Sequence, residues 1–265
     1  MSRQKNGKLN YLLKHWPKGT IAVQNALNQQ GIYRQLADSY VKHHWLMRLA
    51  PGVYAREGDE IRPEGALYAL QQHLQLPIHI GGRSALERLG FAHFVPMQAK
   101  EPLYLFQHPQ VGMTLPKWFK KMFSKNASIY VTHKKLFSSY LSDTLIGHAI
   151  GEYHVKMSCV ERAILETLAL VPEEISLSQT KLLFEGLHSC RSDVFQYLLE
   201  HCTSVKVKRL FLLFSEHERH NWFKYLNLEK INFGKGKRVI SGGGVYYPKH
   251  ELSLPEDVFK DESHA

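Results

Sequence analysis

Apolar residues near the amino terminus recur at helical spacing in three short segments. These segments are residues 9–16, 21–27 and 32–45. A spacing of three or four residues places apolar side chains on one face of an α-helix. The pattern therefore predicts three amphipathic helices, which are separated by Pro17 and by Gly31.

Two short extended runs follow the third helix and meet at a tight turn. Leu46 and Leu49 precede the tripeptide Ala50-Pro51-Gly52, and Val53 opens the second run. Proline presets a negative φ and glycine tolerates a positive φ, so this tripeptide favours a β-turn. The sequence therefore predicts a winged helix-turn-helix unit over about residues 8–58, with three helices and a two-stranded wing. In such units the third helix enters the major groove of DNA.

The polar face of the third helix carries side chains that suit contacts with DNA. Arg34 matches the O6 and N7 acceptors of guanine, and Gln35 matches N6 and N7 of adenine, so both are predicted to read bases. The other candidates are predicted to contact phosphates or, beside the wing, the backbone or an adjacent minor groove. They are Tyr33, Ser39, Lys42, Arg48 and Arg56.

Positive charge is concentrated in the same segment. The chain of 265 residues has a formal net charge of +10, and residues 1–56 hold nine lysines and arginines against one acid, Asp38. A basic unit with a reading helix is the electrostatic footprint of a nucleic-acid binder. The alternative for each cation is a solvated surface position, and Asp38 argues against the whole helix face lying flat on DNA.

The remaining composition favours a globular protein without a membrane segment. Hydrophobic residues make up 44% and charged residues 22% of the chain. No apolar run approaches the roughly 20 residues that span a bilayer, and no apolar segment follows the polar start, so a cytoplasmic location is expected. Cys159, Cys190 and Cys202 are odd in number and far apart. This favours reduced thiols over disulfides or a zinc site.

Polar residues at three helix starts predict capping interactions. Thr20 precedes the second helix and is a candidate N-cap. Ser84 with Glu87, and Ser158 with Glu161, match the S-x-x-E capping box, in which each partner satisfies an amide of the first turn. Helices are therefore predicted to begin at these positions.

Strand-like and helix-like patterns alternate in the rest of the chain. Short strands are predicted at residues 77–80, 102–106 and 129–132, and a helical region at 158–227. Two glycine-flanked runs, 234–240 and 242–247, predict a hairpin near the carboxyl terminus.

Three further groups of basic residues lie after residue 96. Lysines interleave with aromatic residues in 117–123, which suits base stacking combined with charge, or equally an amphipathic segment with its aromatics in the core. The glycines near the third group suggest a cradle for phosphate. The candidates for this second nucleic-acid or antitoxin surface are Lys117, Lys120, Lys121, Lys206, Lys208, Arg209, Lys235, Lys237 and Arg238.

Short motifs occur along most of the chain in a definite order. Those of the first half are Gly31-Ile32, Tyr40-Val41, Trp45-Leu46, Arg48-Leu49, Gly52-Val53-Tyr54, Gly65-Ala66-Leu67, Ala69-Leu70-Gln71, Gly81-Gly82, Ser84-Ala85-Leu86 and Ala92-His93. Those of the second half are residues 158–166, 205–212 and 234–238. In this order the motifs resemble the AbiEi family, which comprises antitoxins and transcriptional regulators of bacterial abortive-infection, type IV toxin–antitoxin systems.

The resemblance implies an α+β protein, with a winged helix-turn-helix domain followed by a larger mixed α/β domain. The expected domains are a DNA-binding domain at residues 1–95 and an antitoxin domain at residues 96–265. The resemblance also implies that the protein binds inverted-repeat operator DNA, represses its own operon in phage defence, and counters a nucleotidyltransferase-like toxin without a stable complex.

No pattern of catalytic residues emerges from the sequence. His217 and His220 are three residues apart, which does not match H-E-x-x-H, and neither a Walker A nor a G-x-S-x-G motif is present. We therefore expect no enzyme activity, no metal and no cofactor. The rival interpretation is a plain winged-helix transcription regulator with an effector-binding C-terminal domain.

Overall fold

The amino-terminal unit has the predicted winged helix-turn-helix architecture. The computed structural model of the chain describes residues 3–91, 102–109, 114–123, 128–240, 244–256 and 258–259. The wing joins a short third strand in an antiparallel sheet of order β1-β3-β2. The elements are α1 (Arg3–His15), β1 (Ala22–Val23), α2 (Gln24–Gln29), α3 (Arg34–Lys42), β2 (Leu46–Ala50) and β3 (Val53–Arg56).

The core of this unit forms where the apolar stripes of its helices meet the wing. Leu12, Leu27 and Tyr40 contribute one side chain from each helix, and Leu46 and Tyr54 contribute from the two wing strands. All five are buried. Removal of this apolar surface from water fixes which face of α3 remains outside.

Trp45 was predicted to lie on the apolar face of the third helix, but it lies outside that helix. Helix α3 ends at Lys42, and His44 adopts a left-handed conformation with φ 57°. The chain therefore turns before Trp45, whose side chain is 47% exposed. The prediction was wrong because the helical spacing was extended past the real end of the helix.

A five-stranded mixed sheet organises the larger unit, with strand order β6-β5-β4-β8-β7. Strands β4 and β8 are parallel, as are β5 and β6, whereas β4 and β5 and also β7 and β8 are antiparallel. The elements of this part are α4 (Pro63–Gln72), β4 (Ile78–Ile80), α5 (Gly82–Arg88), β5 (Pro102–Gln107), α6 (Lys117–Phe123), β6 (Ser128–Thr132), β7 (Leu145–Ile150) and β8 (Tyr153–Ser158).

The central strand of this sheet comes from before residue 95. Strand β4 lies between β5 and β8, and helix α5 packs against β5 as well as against a later helix. Residues 63–91 therefore share a core with the strands that follow residue 101. Ile21 and Val53 of the amino-terminal unit also belong to this core, so packing continues across the two units.

Four helices and a small sheet complete the described part of the larger unit. Helix α7 is almost entirely buried and contacts α5, α8, α9 and α10. The elements are α7 (Val160–Leu170), α8 (Leu177–Glu185), α9 (Ser192–His201), α10 (Val205–His217), β9 (Arg238–Val239), β10 (Val245–Tyr247) and β11 (Leu252–Leu254), with 3-10 turns at Ser142–Thr144, Phe223–Tyr225, Leu228–Lys230 and Pro248–His250.

The predicted carboxyl-terminal hairpin is wrong, although both of its strands exist. Strands β9 and β10 do not pair with each other, because β11 lies between them and is parallel to β9 and antiparallel to β10. Leu252 and Leu254 of β11 are fully buried. Strand β11 thus takes the place next to β10 that the predicted hairpin gave to β9, and its two leucines face the core.

Main-chain contacts hold the two units together. The amide of Lys18 donates to Glu152 Oε2 at 3.1 Å, and the amide of Gly19 donates to Asp59 Oδ2 at 2.8 Å. A Cβ atom at Gly65 would collide with the carbonyl oxygen of Gly19. This close approach of two backbones explains the need for glycine at position 65.

Two of the predicted caps have other hydrogen-bond partners. Thr20 lies before α2 begins, and its hydroxyl donates to the carbonyl of Pro17 at 2.7 Å. The hydroxyl of Ser84 donates to the carbonyl of Pro102 at 2.9 Å and accepts from the amide of Tyr104 at 3.0 Å. These capping predictions were wrong, because each hydroxyl binds another main-chain group: Thr20 binds the preceding turn and Ser84 binds strand β5.

A buried carboxylate, Glu166 of α7, joins four elements of the larger unit. Its Oε1 accepts hydrogen bonds from His79 Nε2 and from Arg162 Nε, both at 2.8 Å. Its Oε2 accepts from the Ser158 hydroxyl at 2.7 Å and from the Gly82 amide at 3.0 Å. Ser158 therefore does not form the predicted capping box, because its hydroxyl is committed to this carboxylate.

The charge balance of this network explains how a carboxylate survives in the core. Burial alone raises the pKa of Glu166, but the charges and hydrogen bonds of His79 and Arg162 lower it to about 2. Burial lowers the pKa of His79 while the Glu166 carboxylate opposes that shift, and Arg162 keeps a permanent positive charge beside the carboxylate. The ionised carboxylate is therefore the stable form.

We expect Glu166→Gln to lower the free energy of unfolding by about 3 kcal/mol at neutral pH, because it leaves Arg162 buried without a counter-charge. A carboxyl group with a depressed folded-state pKa contributes its full stability above the unfolded value. The difference from wild type should thus persist down to pH 4.5 and shrink as the pH falls towards about 2. Urea unfolding across this range measures it.

Glu161→Gln is the matched control on the same helix. Glu161 pairs with Arg191, whose side chain is 60% exposed, at 3.0 Å. Because water can solvate Arg191 once the pair is lost, the expected cost is smaller, about 1 kcal/mol. Equal losses from the two substitutions would contradict a special role of the Glu166 network.

Candidate nucleic-acid interface

The outer face of helix α3 presents most of the predicted reading residues to solvent. Ala37 and Tyr40 are fully buried on its inner face. Tyr33, Arg34 and Gln35 are exposed at the start of the helix, where the chain enters in an extended conformation. The amino-terminal end of a recognition helix is the part that meets base edges.

Lys42 and Ser39 lie further along the same helix. The Lys42 side chain is exposed, in a position suited to a phosphate. Ser39 is half-buried, and its carbonyl accepts a hydrogen bond from His43 Nδ1 at 2.7 Å. His43 and His44 are also exposed. Together with Trp45 they extend the exposed surface that begins on α3. Helical spacing did not predict this extension, because the chain leaves the helix at the turn around His44.

Asp38 has a partner that explains its presence on a basic helix. Its carboxylate forms an ion pair with the guanidinium of Arg48, in wing strand β2. The same guanidinium lies 5.6 Å from the ring centroid of Tyr54. Arg48 therefore joins the reading helix to the wing, and its charge is partly neutralised before any DNA arrives.

Arg56 flanks the wing as predicted, but its side chain has a structural contact. The guanidinium donates to the carbonyls of Leu13 at 3.4 Å and Trp16 at 3.0 Å, at the end of helix α1. Carbonyls in the last turn of a helix have no partner within the helix, so a cation there satisfies them. This engagement draws Arg56 away from the predicted role in DNA contact.

Lys8 makes a contact that sequence patterns did not reveal. Its ammonium donates to the carbonyl of Gly31 at 3.1 Å. Gly31 has a φ of +72° and forms the turn between α2 and α3. Lys8 thus ties α1 to the turn that sets the angle of the reading helix.

The aromatic and basic residues of helix α6 separate onto two faces. Phe119 and Phe123 are buried in the core of the larger unit, whereas Lys117, Lys120 and Lys121 are exposed. The buried rings are not available to stack on bases. The structure therefore favours the amphipathic interpretation of this segment, with its lysines on the outer face.

The three cations at the start of helix α10 do not form an open surface. Lys206 Nζ donates to the carbonyls of Ala169 at 3.3 Å and Val171 at 2.5 Å, which end helix α7. Burial lowers the pKa of Lys206. Lys208 and Arg209 are buried. The prediction that these residues share an accessible surface is wrong, because α10 packs into the core along this side.

Buried Arg209 holds the glycine-containing loop before β9. Its Nε donates to the carbonyl of Phe233 at 3.0 Å, and its two terminal nitrogens donate to the carbonyls of Gly236 at 2.6 Å and Gly234 at 3.2 Å. It also forms an ion pair of 2.6 Å with Glu251. Lys235, Lys237 and Arg238, which follow on this loop, are exposed.

The described residues contain neither a metal-binding cluster nor a membrane-spanning helix. No group of three or more histidine, cysteine, aspartate or glutamate side chains lies close enough to hold a metal ion. No described helix combines the length and apolar character needed to cross a membrane.

Comparisons with known proteins match both units. Residues 5–97 match a family model described as the N-terminal domain of AbiEi antitoxin transcriptional regulators, and residues 100–255 match a model described as a transcriptional regulator, AbiEi antitoxin, of type IV toxin–antitoxin systems. No curated protein matches the chain.

One solved structure with the same fold is the RV2827C protein from Mycobacterium tuberculosis. The match has a TM-score of 0.58 and 13% sequence identity, and it covers 95% of this chain and 92% of that chain. At this identity the similarity shows the fold alone.

We expect Asp38→Asn to strengthen binding to duplex DNA of any sequence by about threefold, the size of one exposed charge interaction. The substitution removes the negative charge from the helix face and frees Arg48 for a phosphate, so the salt dependence should steepen by about one unit. Fluorescence anisotropy at several salt concentrations measures both quantities.

A double variant separates the two causes. With Arg48→Ala added to Asp38→Asn, the salt dependence should return to the wild-type value while part of the gain in affinity remains. Unchanged or weaker binding by Asp38→Asn alone would show that this face does not approach DNA.

Proposed function

The chain belongs to the AbiEi family of antitoxin transcriptional regulators of type IV toxin–antitoxin systems, and from that premise we propose that it represses its own operon and counters a nucleotidyltransferase-like toxin. Repression would use inverted-repeat operator DNA, as the family resemblance implies. The observation that carries the proposal is the exposed set Tyr33, Arg34 and Gln35 on a helix whose opposite face is buried.

The geometry of α3 supports sequence-specific recognition. Arg34 and Gln35 can each make paired hydrogen bonds to a base edge, and both are exposed at the start of the helix. Among the described residues Arg34 has no ion-pair partner. Lys42 at the other end supplies a phosphate contact that positions the helix. The buried residues Ala37 and Tyr40 fix the orientation of the helix. Less conformational entropy is therefore lost when these side chains bind DNA.

Antitoxin activity is proposed for the larger unit, and we propose that it acts by binding and not by catalysis. In the Glu166 network of this unit, buried ionisable groups form hydrogen bonds with one another. The histidine pair noted in the sequence also has structural partners, since His220 donates to the carbonyl of Phe184 at 2.7 Å and stacks on Trp222, and His217 pairs with Glu218. These side chains are not arranged for acid–base chemistry on a substrate.

A plain regulator with an effector-binding domain remains the second candidate because the larger unit contains a cavity. The cavity measures about 190 Å³ and lies between strands β5 and β6 and the end of helix α7. Tyr104, Tyr130 and Glu174 are among its lining residues. It is smaller than the ligand sites of about 300 Å³ or more that usually hold drug-sized molecules, so it favours at most a small effector.

We expect Arg34→Ala to reduce affinity for the operator about tenfold or more while leaving affinity for unrelated DNA nearly unchanged, because it removes a base contact. Lys42→Ala should weaken binding to all sequences alike and flatten the salt dependence by about one unit. Lys230→Ala, an exposed cation in a turn of the larger unit, is the control and should bind as wild type. Equal losses on every sequence from Arg34→Ala and Lys42→Ala would refute the assignment of roles.

We expect the double variant Arg34→Ala, Lys42→Ala to rescue cells from the neighbouring toxin as well as wild type does, when each gene is expressed from a foreign promoter. The reason is that neither substitution touches the larger unit. Growth on induction of the toxin is the measurement. If the chain were only a regulator, wild type itself would give no rescue, because the foreign promoter lacks its operator.

Full-length variants are preferable to truncation in this experiment. Removal of residues 1–95 would delete strand β4 from the centre of the sheet and with it His79, a partner of Glu166. Loss of rescue by such a fragment would report unfolding and not the location of the antitoxin activity.

A further inference from the structure

The small carboxyl-terminal sheet exposes a row of side chains with mixed character. Tyr246 of β10 and Val239 of β9 are both in register with Ser253 of the central strand β11. Residues in register share one face of a sheet, while the alternate residues Leu252 and Leu254 face the core. Tyr246 is 38% exposed and Val239 is 66% exposed.

Cations border this face on the loop that leads into β9. Lys237 Nζ lies 4.9 Å from the ring centroid of Tyr246. Lys235 is exposed on the same loop, whereas Arg238, also exposed, is in register with Leu252 and so lies on the opposite face of the sheet. Among the described residues none of these three cations forms an ion pair with a carboxylate. The face therefore combines an aromatic ring, a hydroxyl and an aliphatic side chain with uncompensated positive charge.

The loop that carries these cations is held in one conformation before any ligand binds. Arg209 contacts three of its carbonyls from beneath, and Gly234 and Gly236 have φ values of +66° and +83°. A Cβ atom at Gly234 would approach Val205 Cγ2 to 2.6 Å. A loop fixed in this way loses little entropy when its side chains meet a ligand.

We propose that this face, defined by Lys237, Val239, Tyr246 and Ser253, binds unpaired RNA. An unpaired base stacks on the Tyr246 ring in place of the Lys237 ammonium, which then moves to a phosphate. The hydroxyl of Ser253, between Tyr246 and Val239, contacts the ribose 2′-hydroxyl, which DNA lacks. This role goes beyond the proposed function, since operator DNA is read by helix α3.

The chemistry of the face disfavours duplex DNA as its ligand. In a duplex the bases stack on one another and present only their edges in the grooves, so an exposed ring and aliphatic side chain on a flat sheet would meet sugar and phosphate. Cations alone would suit a duplex. The aromatic and aliphatic side chains of this row can contact bases only when the faces of those bases are not already stacked in a duplex.

The test uses the full-length protein and a labelled, unstructured RNA of about ten nucleotides, a length within the range that a single binding surface contacts. Tyr246→Ala is expected to weaken binding about tenfold, the loss of one stacked base, whereas Tyr246→Trp should retain it. Lys237→Met should flatten the salt dependence by about 0.7 units, the single-strand value for one phosphate. Ser253→Ala should reduce the preference for RNA over single-stranded DNA.

Tyr225→Ala is the matched control. Tyr225 is 70% exposed and Lys224 Nζ lies 5.1 Å from its ring centroid, but it belongs to a 3-10 turn outside the sheet. This variant should bind RNA as wild type. Arg34→Ala with Lys42→Ala should also bind RNA normally, which keeps the outcome independent of operator recognition. Thermal unfolding verifies that every variant is folded.

Several results would overturn the proposal. Displacement of the RNA by unlabelled duplex DNA at equal concentration would show that the face is a duplex site or that the RNA occupies α3. Equal affinity for single-stranded DNA would refute the assignment to RNA. Equal loss from Tyr225→Ala, or no loss from Tyr246→Ala, would refute the stacking surface.

Discussion

The ionised carboxylate of Glu166 is the constraint on which the larger unit depends. A charge in the core is stable only when donors satisfy it, and here the donors come from strands β4 and β8, from the start of α5 and from α7 itself. The requirement brings together segments that are far apart in sequence. It also places α7 at the centre of the unit.

The accessible basic residues depend on this arrangement through a series of contacts. Carbonyls at the end of α7 receive the ammonium of Lys206, which positions helix α10. Arg209, on the same helix, then fixes the loop that presents Lys237. Helices α7 and α10 thus connect the buried carboxylate to the loop of the surface that we assign to RNA.

Basic side chains divide into two groups that composition does not distinguish. Lys8, Arg56 and Arg209 bind carbonyls where helices or loops end, and Arg48 neutralises Asp38. Such carbonyls lack partners within their own element, so a nearby cation is drawn to them. Arg34 and Lys42 of helix α3 are exposed.

Periodicity and turn residues predicted the presence of three helices, the wing and the exposed start of α3, because these features depend on neighbours three or four residues away. They did not predict strand β1, since Ala22 and Val23 were assigned to the second helix. The order of the motifs likewise identified the family. Only the tertiary structure decided that Ser84 and Ser158 bind distant partners, that β11 separates β9 from β10, and that Arg56 turns inward. Each of these depends on which donor or apolar surface the folded chain brings close, and sequence spacing does not encode that distance.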